Sequence, residues 1–194
     1  MVASTLVPSP DPLSSRRTLV LGGARSGKSA RAEGMLADLD EHTAVRYVAT
    51  ARHDPRDDDW AARIDLHRRR RPASWATVEI GADGSLVDLL DAPGPHPPTL
   101  VDDLGTWLTC ELDDASAWAA PRGAIAARID ALVAAVSGFD GRLLLVSPEV
   151  GLGVIPQTRS GRLFRDEIGA LNSRLASVCD DVLLVVAGIA LTLK

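Results

Sequence analysis

The chain has 194 residues, 46% of them hydrophobic and 24% charged, and a net charge of −5. That length favours one domain around a single core, and the balance is that of an ordinary globular protein in water. The negative charge argues against a general affinity for nucleic acid, so an anion site has to be local. Two cysteines, Cys110 and Cys179, are too far apart for a disulfide framework. They fit two buried thiols in a reduced, cytoplasmic protein. No apolar run is long enough to span a bilayer, so no integral membrane segment is expected.

Residues 1–16 are rich in proline and serine, lack an apolar stretch of signal-peptide length, and read as a flexible tail. From Arg17 to Lys194 short apolar runs alternate with longer amphipathic stretches, which predicts one α/β unit built on a mainly parallel sheet. A strand is expected over 18–21, a helix over 29–39 and a second strand over 45–50. Residues 57–70 read as a helix opened by acids that suit its positive dipole end, and Pro72 stops it. A strand over 75–80 and a helical turn over 86–90 follow. The stretch 92–98 (APGPHPP) is a loop by composition, and 99–102 is a short strand ending in acids. An alanine-rich helix over 125–136 ends near Gly138, and 143–146 is a fully buried strand. Phe164, Ile168, Leu171, Leu175 and Val178 recur at helical spacing. Residues 182–187 and 191–193, split by Gly188, predict a final antiparallel pair.

Between the first strand and the first helix, Gly22, Gly23, Ala24, Arg25, Ser26, Gly27, Lys28 and Ser29 spell G-x-x-x-x-G-K-[ST], a nucleotide-binding phosphate loop. Its glycines let backbone N–H groups turn around an anion, and the helix that follows adds its dipole. Lys28 is placed to reach the β and γ phosphates, and the Ser29 hydroxyl to ligate Mg²⁺. Such a loop needs an acid from a neighbouring strand to hold the metal. Asp102 is the candidate, while Asp103 is read as a cap or a solvent-facing acid.

The stretch 61–72 (AARIDLHRRRRP) is unusual for a simple kinase. On a helix Trp60, Ile64 and His67 share one face, and a histidine on an apolar face is ordinarily a core residue. The four arginines directly after it change the weighing, because guanidinium groups gather phosphates and imidazole is a nucleophile in covalent catalysis. From the residues alone, a structural and a catalytic His67 both stand.

The segments GGARSGKS, YVATA, DDDWAARIDLHRRRRP, LVDDLGTWL, EVGLGVIP, FRDEIGALNSRLA and LLVVAGIALTLK occur in this order over almost the whole chain after Arg17. Together they resemble the bifunctional adenosylcobinamide kinase/adenosylcobinamide-phosphate guanylyltransferase family of the cobalamin pathway. The phosphate loop is common to a very large superfamily, whereas ARI-x-x-H-R and EVGLGVIP are particular to this one. The resemblance implies a RecA-like P-loop fold, a homotrimer, and two reactions that use ATP or GTP with Mg²⁺. A corrinoid hydroxyl is phosphorylated, and GMP is then moved from GTP onto the new phosphate through a guanylylated histidine. His67 matches that histidine, and Lys28 the catalytic lysine of the kinase step. Thr50, Arg68 and Glu79 are implied as further nucleotide contacts.

The glycines of the 149–156 loop permit a tight turn beside a ligand, at a sheet end where α/β proteins bind substrates. A purely structural turn is equally compatible. Arg159, Arg162 and Arg165 face either that site or solvent, and Trp107 is read as core. The chain departs from the family pattern at Gly105 and Cys110, where Thr and Asn are common, and at Asn172-Ser173, where Asn-Gln is common. Two other readings compete: a single-activity P-loop kinase with a structural His67, and a nucleotide-gated switch. The switch lacks a guanine-reading NKxD motif and leaves His67 and its arginines without a role.

Overall fold

The computed structural model describes residues 16–37, 39, 43–52, 72–80 and 84–194. The helix expected over 57–70, with Trp60, Ile64, His67 and Arg68, lies outside the described residues, as does the chain up to residue 15. Among the described residues the strands are β1 (Arg17–Gly22), β2 (Arg46–Ala49), β3 (Ala76–Glu79), β4 (Thr99–Asp102), β5 (Leu143–Pro148), β6 (Asp181–Val186) and β7 (Ile189–Thr192). The helices are α1 (Lys28–Ala37), α2 (Leu86–Leu90), α3 (Leu104–Asp114), α4 (Ala126–Gly138) and α5 (Arg159–Val178), with a 3₁₀ turn at Ala117–Ala119.

One sheet runs in the order β3-β2-β4-β5-β1-β6-β7. All neighbours are parallel except the final β6–β7 hairpin, as expected of a RecA-like P-loop fold. β5 lies between β1, which carries the phosphate loop, and β4, which carries the acid. Both faces are covered, so the inner strands are apolar throughout, as buried parallel strands are. Leu19, Leu21, Val48, Val101, Leu143 and Leu145 join one core cluster with Leu104, Leu108, Leu132, Val136, Leu171 and Leu175 of the helices. Their alternates Val20, Tyr47, Leu100, Leu144, Val146 and Val185 face Ala32 and Leu36 of α1. The period of two along each strand is what assigns the two faces.

The expected helices and strands that fall on described residues are present, with ends shifted by a few residues; α1 stops at Ala37 and β5 continues to Pro148. Helix α3 was not read from the sequence. Asp103 caps it, its carboxylate accepting from the Thr106 N–H at 2.9 Å. Leu104, Trp107, Leu108 and Leu112 bury its apolar stripe, so Trp107 is a core residue. Gly105, Thr106, Thr109 and Cys110 are poor helix formers, which hid the pattern. Arg16, assigned to the tail, pairs with Asp181, and its carbonyl accepts from the Leu143 N–H at 3.0 Å. Burial pushes the Cys179 thiol up to about 12, whereas Cys110 is only partly buried, contrary to the expectation of two buried thiols.

Helix α5 buries Leu163, Ile168, Leu171 and Leu175, with Phe164 and Val178 packed at the margin. Two polar residues are buried beside them. Glu167 accepts from the Gly123 N–H at 2.7 Å, and Asn172 bridges to the end of β5. The Asn172 Oδ1 accepts from the Ser147 hydroxyl at 2.6 Å, and its Nδ2 donates to the Pro148 carbonyl at 3.0 Å. This amide fixes the point where β5 leaves the sheet. Asn172→Ala strands the buried Ser147 hydroxyl and the half-buried Pro148 carbonyl and is expected to cost about 1–3 kcal/mol, seen as a lower urea midpoint. An unchanged midpoint contradicts the anchoring role.

Candidate active site

The last residue of β1 decides where an anion can sit. A methyl group at Gly22 would lie 2.7 Å from the Val185 carbonyl oxygen and on top of Ser26 Oγ, so only glycine lets the loop turn there. Arg25 (φ 57°) and Gly27 (φ 94°) both take the left-handed conformation, which folds residues 23–27 back over the start of α1. The Ser26 carbonyl accepts from the Gly188 N–H at 2.8 Å, so the β6–β7 turn braces the loop. On the other side the Glu149 N–H donates to the Gly22 carbonyl at 3.1 Å. Ser26 Oγ is buried and has no hydrogen-bond partner among the described residues. A buried hydroxyl without a partner is costly, and an oxygen-rich anion in the loop supplies an acceptor.

Asp102 stands at the end of β4, in register with Val146 of β5. Its Oδ1 accepts from the Ser29 hydroxyl at 3.1 Å, and its Oδ2 accepts from the Tyr47 hydroxyl at 2.9 Å. The predicted acid and the predicted loop serine are thus in contact across the width of β5. Tyr47 was not singled out in the sequence. It sits on β2 as a buried aromatic in an apolar run, and only the three-dimensional neighbour reveals the use of its hydroxyl.

The remaining predicted residues divide. Thr50, directly after β2, is buried, and its hydroxyl donates to the Asp103 carbonyl at 2.6 Å beside the Thr106 hydroxyl. Glu79 is exposed at the end of β3, with Ala49 of β2 between it and Asp102. Four strand steps separate β3 from β1, about 19 Å at ordinary strand spacing, so the structure does not bring Glu79 to the phosphate loop. Ala24, Arg25 and Gly27 are exposed at the loop's crest, and Gly23 and Lys28 are half-buried. His67 and Arg68 lie outside the described residues.

The loop after β5 is held by the arginines that follow it. Arg162 donates to the carbonyls of Pro156 and Gln157 at 3.0 and 2.6 Å, and Arg165 to that of Gly151 at 2.8 Å. Arg159 reaches the Ala119 carbonyl at 2.6 Å. These side chains shape the loop, leaving Leu152, Val154 and Ile155 exposed on it. Gly105 is tight against Pro148, where a methyl group would lie 2.7 Å from the ring, so any larger residue there needs a shift of β5's exit. Cys110 Sγ donates to the Thr50 carbonyl at 3.9 Å. Arg52 and Asp114 pair at 2.5 Å, and this hydrogen bond holds the Asp114 carboxyl below its usual range.

Two substitutions test this geometry. Gly22→Ala forces the loop off Val185 and is expected to weaken nucleotide binding about tenfold or more, measured by calorimetry; wild-type affinity contradicts the packing argument. Tyr47→Phe keeps the ring but removes a donor to a carboxylate, and should cost about 1.5–3 kcal/mol in urea unfolding. No loss means the hydroxyl does not hold Asp102.

Residues 18–193 match the family described as Cobinamide kinase / cobinamide phosphate guanyltransferase. Among curated relatives, the Bifunctional adenosylcobalamin biosynthesis protein CobU of Escherichia coli is 39% identical over 185 residues, covering 91% of this chain and 98% of that protein. The CobU of Salmonella typhimurium is 39% identical over 184 residues, with the same coverage. The Bifunctional adenosylcobalamin biosynthesis protein CobP of Pseudomonas aeruginosa is 39% identical over 182 residues, covering 92% and 97%. A phosphate loop joined to its acid, in a match that runs nearly end to end, makes this chain a member of the cobinamide kinase / cobinamide phosphate guanyltransferase family, and so a transferase.

Proposed function

We propose that this enzyme phosphorylates the aminopropanol hydroxyl of adenosylcobinamide with ATP or GTP, then places GMP from GTP on that phosphate, giving adenosylcobinamide-GDP and pyrophosphate. The observation that carries the first half is the contact of Ser29 with Asp102 at the mouth of the phosphate loop. A hydroxyl and a carboxylate held together are hard oxygen donors, the set Mg²⁺ takes beside substrate phosphates. Ser29 and Asp102 would hold the ion, which when bound offsets charge on the triphosphate.

In the kinase step the loop N–H groups and Lys28 hold the β and γ phosphates while the substrate hydroxyl attacks the γ-phosphorus. The hydroxyl proton leaves, the bond to the β-phosphate oxygen breaks, and the nucleoside diphosphate departs. Little covalent chemistry falls to the protein, whose part is placement and charge stabilisation. In the transfer step the neutral imidazole of His67 attacks the α-phosphorus of GTP and pyrophosphate leaves, Arg68 and its neighbours taking up charge. An oxygen of the corrinoid phosphate then attacks the same phosphorus and frees His67. The role of His67 rests on the family resemblance and on the arginines that follow it.

A homotrimer is part of this proposal, supported by the apolar hairpin edge where Val186, Ile189, Leu191 and Leu193 are all at least half exposed. The sites act in the cytoplasm, on a corrinoid and nucleotides as small-molecule partners. Among the described residues no helix is long and apolar enough to cross a membrane.

Intact-mass measurement after incubation with GTP and Mg²⁺ tests the transfer half. The wild type should gain one GMP, His67→Ala none; an adduct surviving that change means another nucleophile. Lys28→Ala is expected to lower phosphorylation of cobinamide about a hundredfold or more, and retained phosphorylation removes the phosphate loop from the kinase step. Chelation by EDTA should stop both reactions, and activity that persists in EDTA argues against the Ser29–Asp102 ion.

A further inference from the structure

We propose that the hollow between α3 and the start of α5 seats the corrin ring of the substrate, an assignment that rests on the kinase reading above. It measures about 690 Å³ and is lined by Thr109, Trp118, Thr158, Ser160, Gly161 and Phe164. That volume lies in the range of small-molecule sites, which are mostly apolar with a few placed polar groups. Trp118 and Phe164 are half-buried, packed against the core on one side. The Trp118 indole N–H donates to Asp113 at 2.5 Å, which fixes the plane of its ring. Thr109, Thr158 and Ser160 line it beside these rings, the Thr158 hydroxyl also accepting from the Gly161 N–H at 3.1 Å. Corrin is a broad, nearly planar macrocycle with an apolar body and a fringe of carboxamides. Aromatic faces suit the body, and hydroxyls suit the fringe.

Position supports the same occupant. Thr109 lies one helical turn beyond Gly105, to whose carbonyl its hydroxyl donates at 3.0 Å. Gly105 packs on Pro148, and Pro148 is level with Gly22 on the adjacent strand. A strand step, the Gly105–Pro148 packing contact and a helical turn make a path of roughly 15 Å from the root of the phosphate loop to Thr109, an upper bound on their separation. The hydroxyl to be phosphorylated sits at the end of an amide-linked aminopropanol arm, with a reach on the order of 9 Å from the ring. With the width of the macrocycle added to the arm, a ring in this hollow and a hydroxyl at the loop are compatible. A second hollow, about 320 Å³ and lined in part by Asp91, His96 and Asp140, precedes β4 and β5 and opens at the opposite end of the sheet. It is out of reach of the transferred phosphate.

Two other occupants would suit an aromatic hollow, the guanine base of GTP and a second copy of the chain. The test separates them. Trp118→Ala, Phe164→Ala and Ser160→Arg are compared with wild type in three measurements. These are the kinase rate against cobinamide concentration at fixed ATP, GMP incorporation from GTP without corrinoid, and oligomeric state by light scattering. Ser160 is exposed, so arginine there obstructs the mouth while leaving the core intact if either ring variant misfolds. KM for cobinamide is expected to rise about tenfold or more in each folded variant. The limiting rate, GMP incorporation and oligomeric state should stay near wild type. An unchanged KM in Ser160→Arg and the folded ring variants overturns the assignment. A matching loss of GMP incorporation gives the hollow to the base, and an altered oligomeric state gives it to a subunit contact; either overturns it too. A wild type that phosphorylates no cobinamide removes the kinase reading itself, a result distinct from an unchanged KM in the variants.

Discussion

The seat of the phosphate loop is the constraint on which the rest of the structure depends. Gly22 leaves β1 so close to the Val185 carbonyl and Ser26 that no side chain fits. The loop's outer arm is tied through the Ser26 carbonyl to Gly188, and its root through the Gly22 carbonyl to Glu149. The phosphate site is therefore clamped between the exit of β5 and the turn of the C-terminal hairpin. That turn needs positive φ at Ala187 and Gly188, so a two-residue reversal at the end of the chain sets how the loop is held.

The second organising group is the carboxylate of Asp102. Four-residue β4 is flanked on one side by β2 and on the other by β5, and this brings Tyr47 and Ser29 to its two oxygens. The adjoining Asp103 caps α3 and receives the Thr50 hydroxyl through its carbonyl, so one short acidic pair both meets the Ser29 hydroxyl and starts the helix beside the Trp118–Phe164 hollow. Asn172 and the arginines of α5 do the corresponding work at the end of β5. The C-terminal edge of the sheet is tied by hydrogen bonds at the phosphate loop and carries exposed apolar side chains on the loop beside it.

Much of this was legible in the sequence because its signals are local. The phosphate loop is contiguous, and buried parallel strands read as short apolar runs; β4 was placed at 99–102 without error. Helix α3 was missed because glycine and threonine diluted its stripe, although Asp103 with a partner three residues on is a capping signal that could have marked it. Tyr47 and Asn172 could not be found this way. Their partners are 55 and 24 residues away in the chain, and nothing local distinguishes them from packing residues. The arginines after the 149–156 loop were compatible with facing either the site or solvent, yet among the described residues they hydrogen-bond to backbone carbonyls; charge alone does not tell a ligand from a clamp.

The central claim is that one chain carries out two successive transfers on one corrinoid. The most direct measurement is mass analysis of the products formed from cobinamide by the purified enzyme with Mg²⁺, first with ATP alone and then after GTP is added. The account predicts a cobinamide phosphate in the first stage and its conversion in the second to a product heavier by one GMP, with pyrophosphate released. Accumulation of the phosphate without conversion, or conversion of cobinamide without a phosphate intermediate, would contradict it.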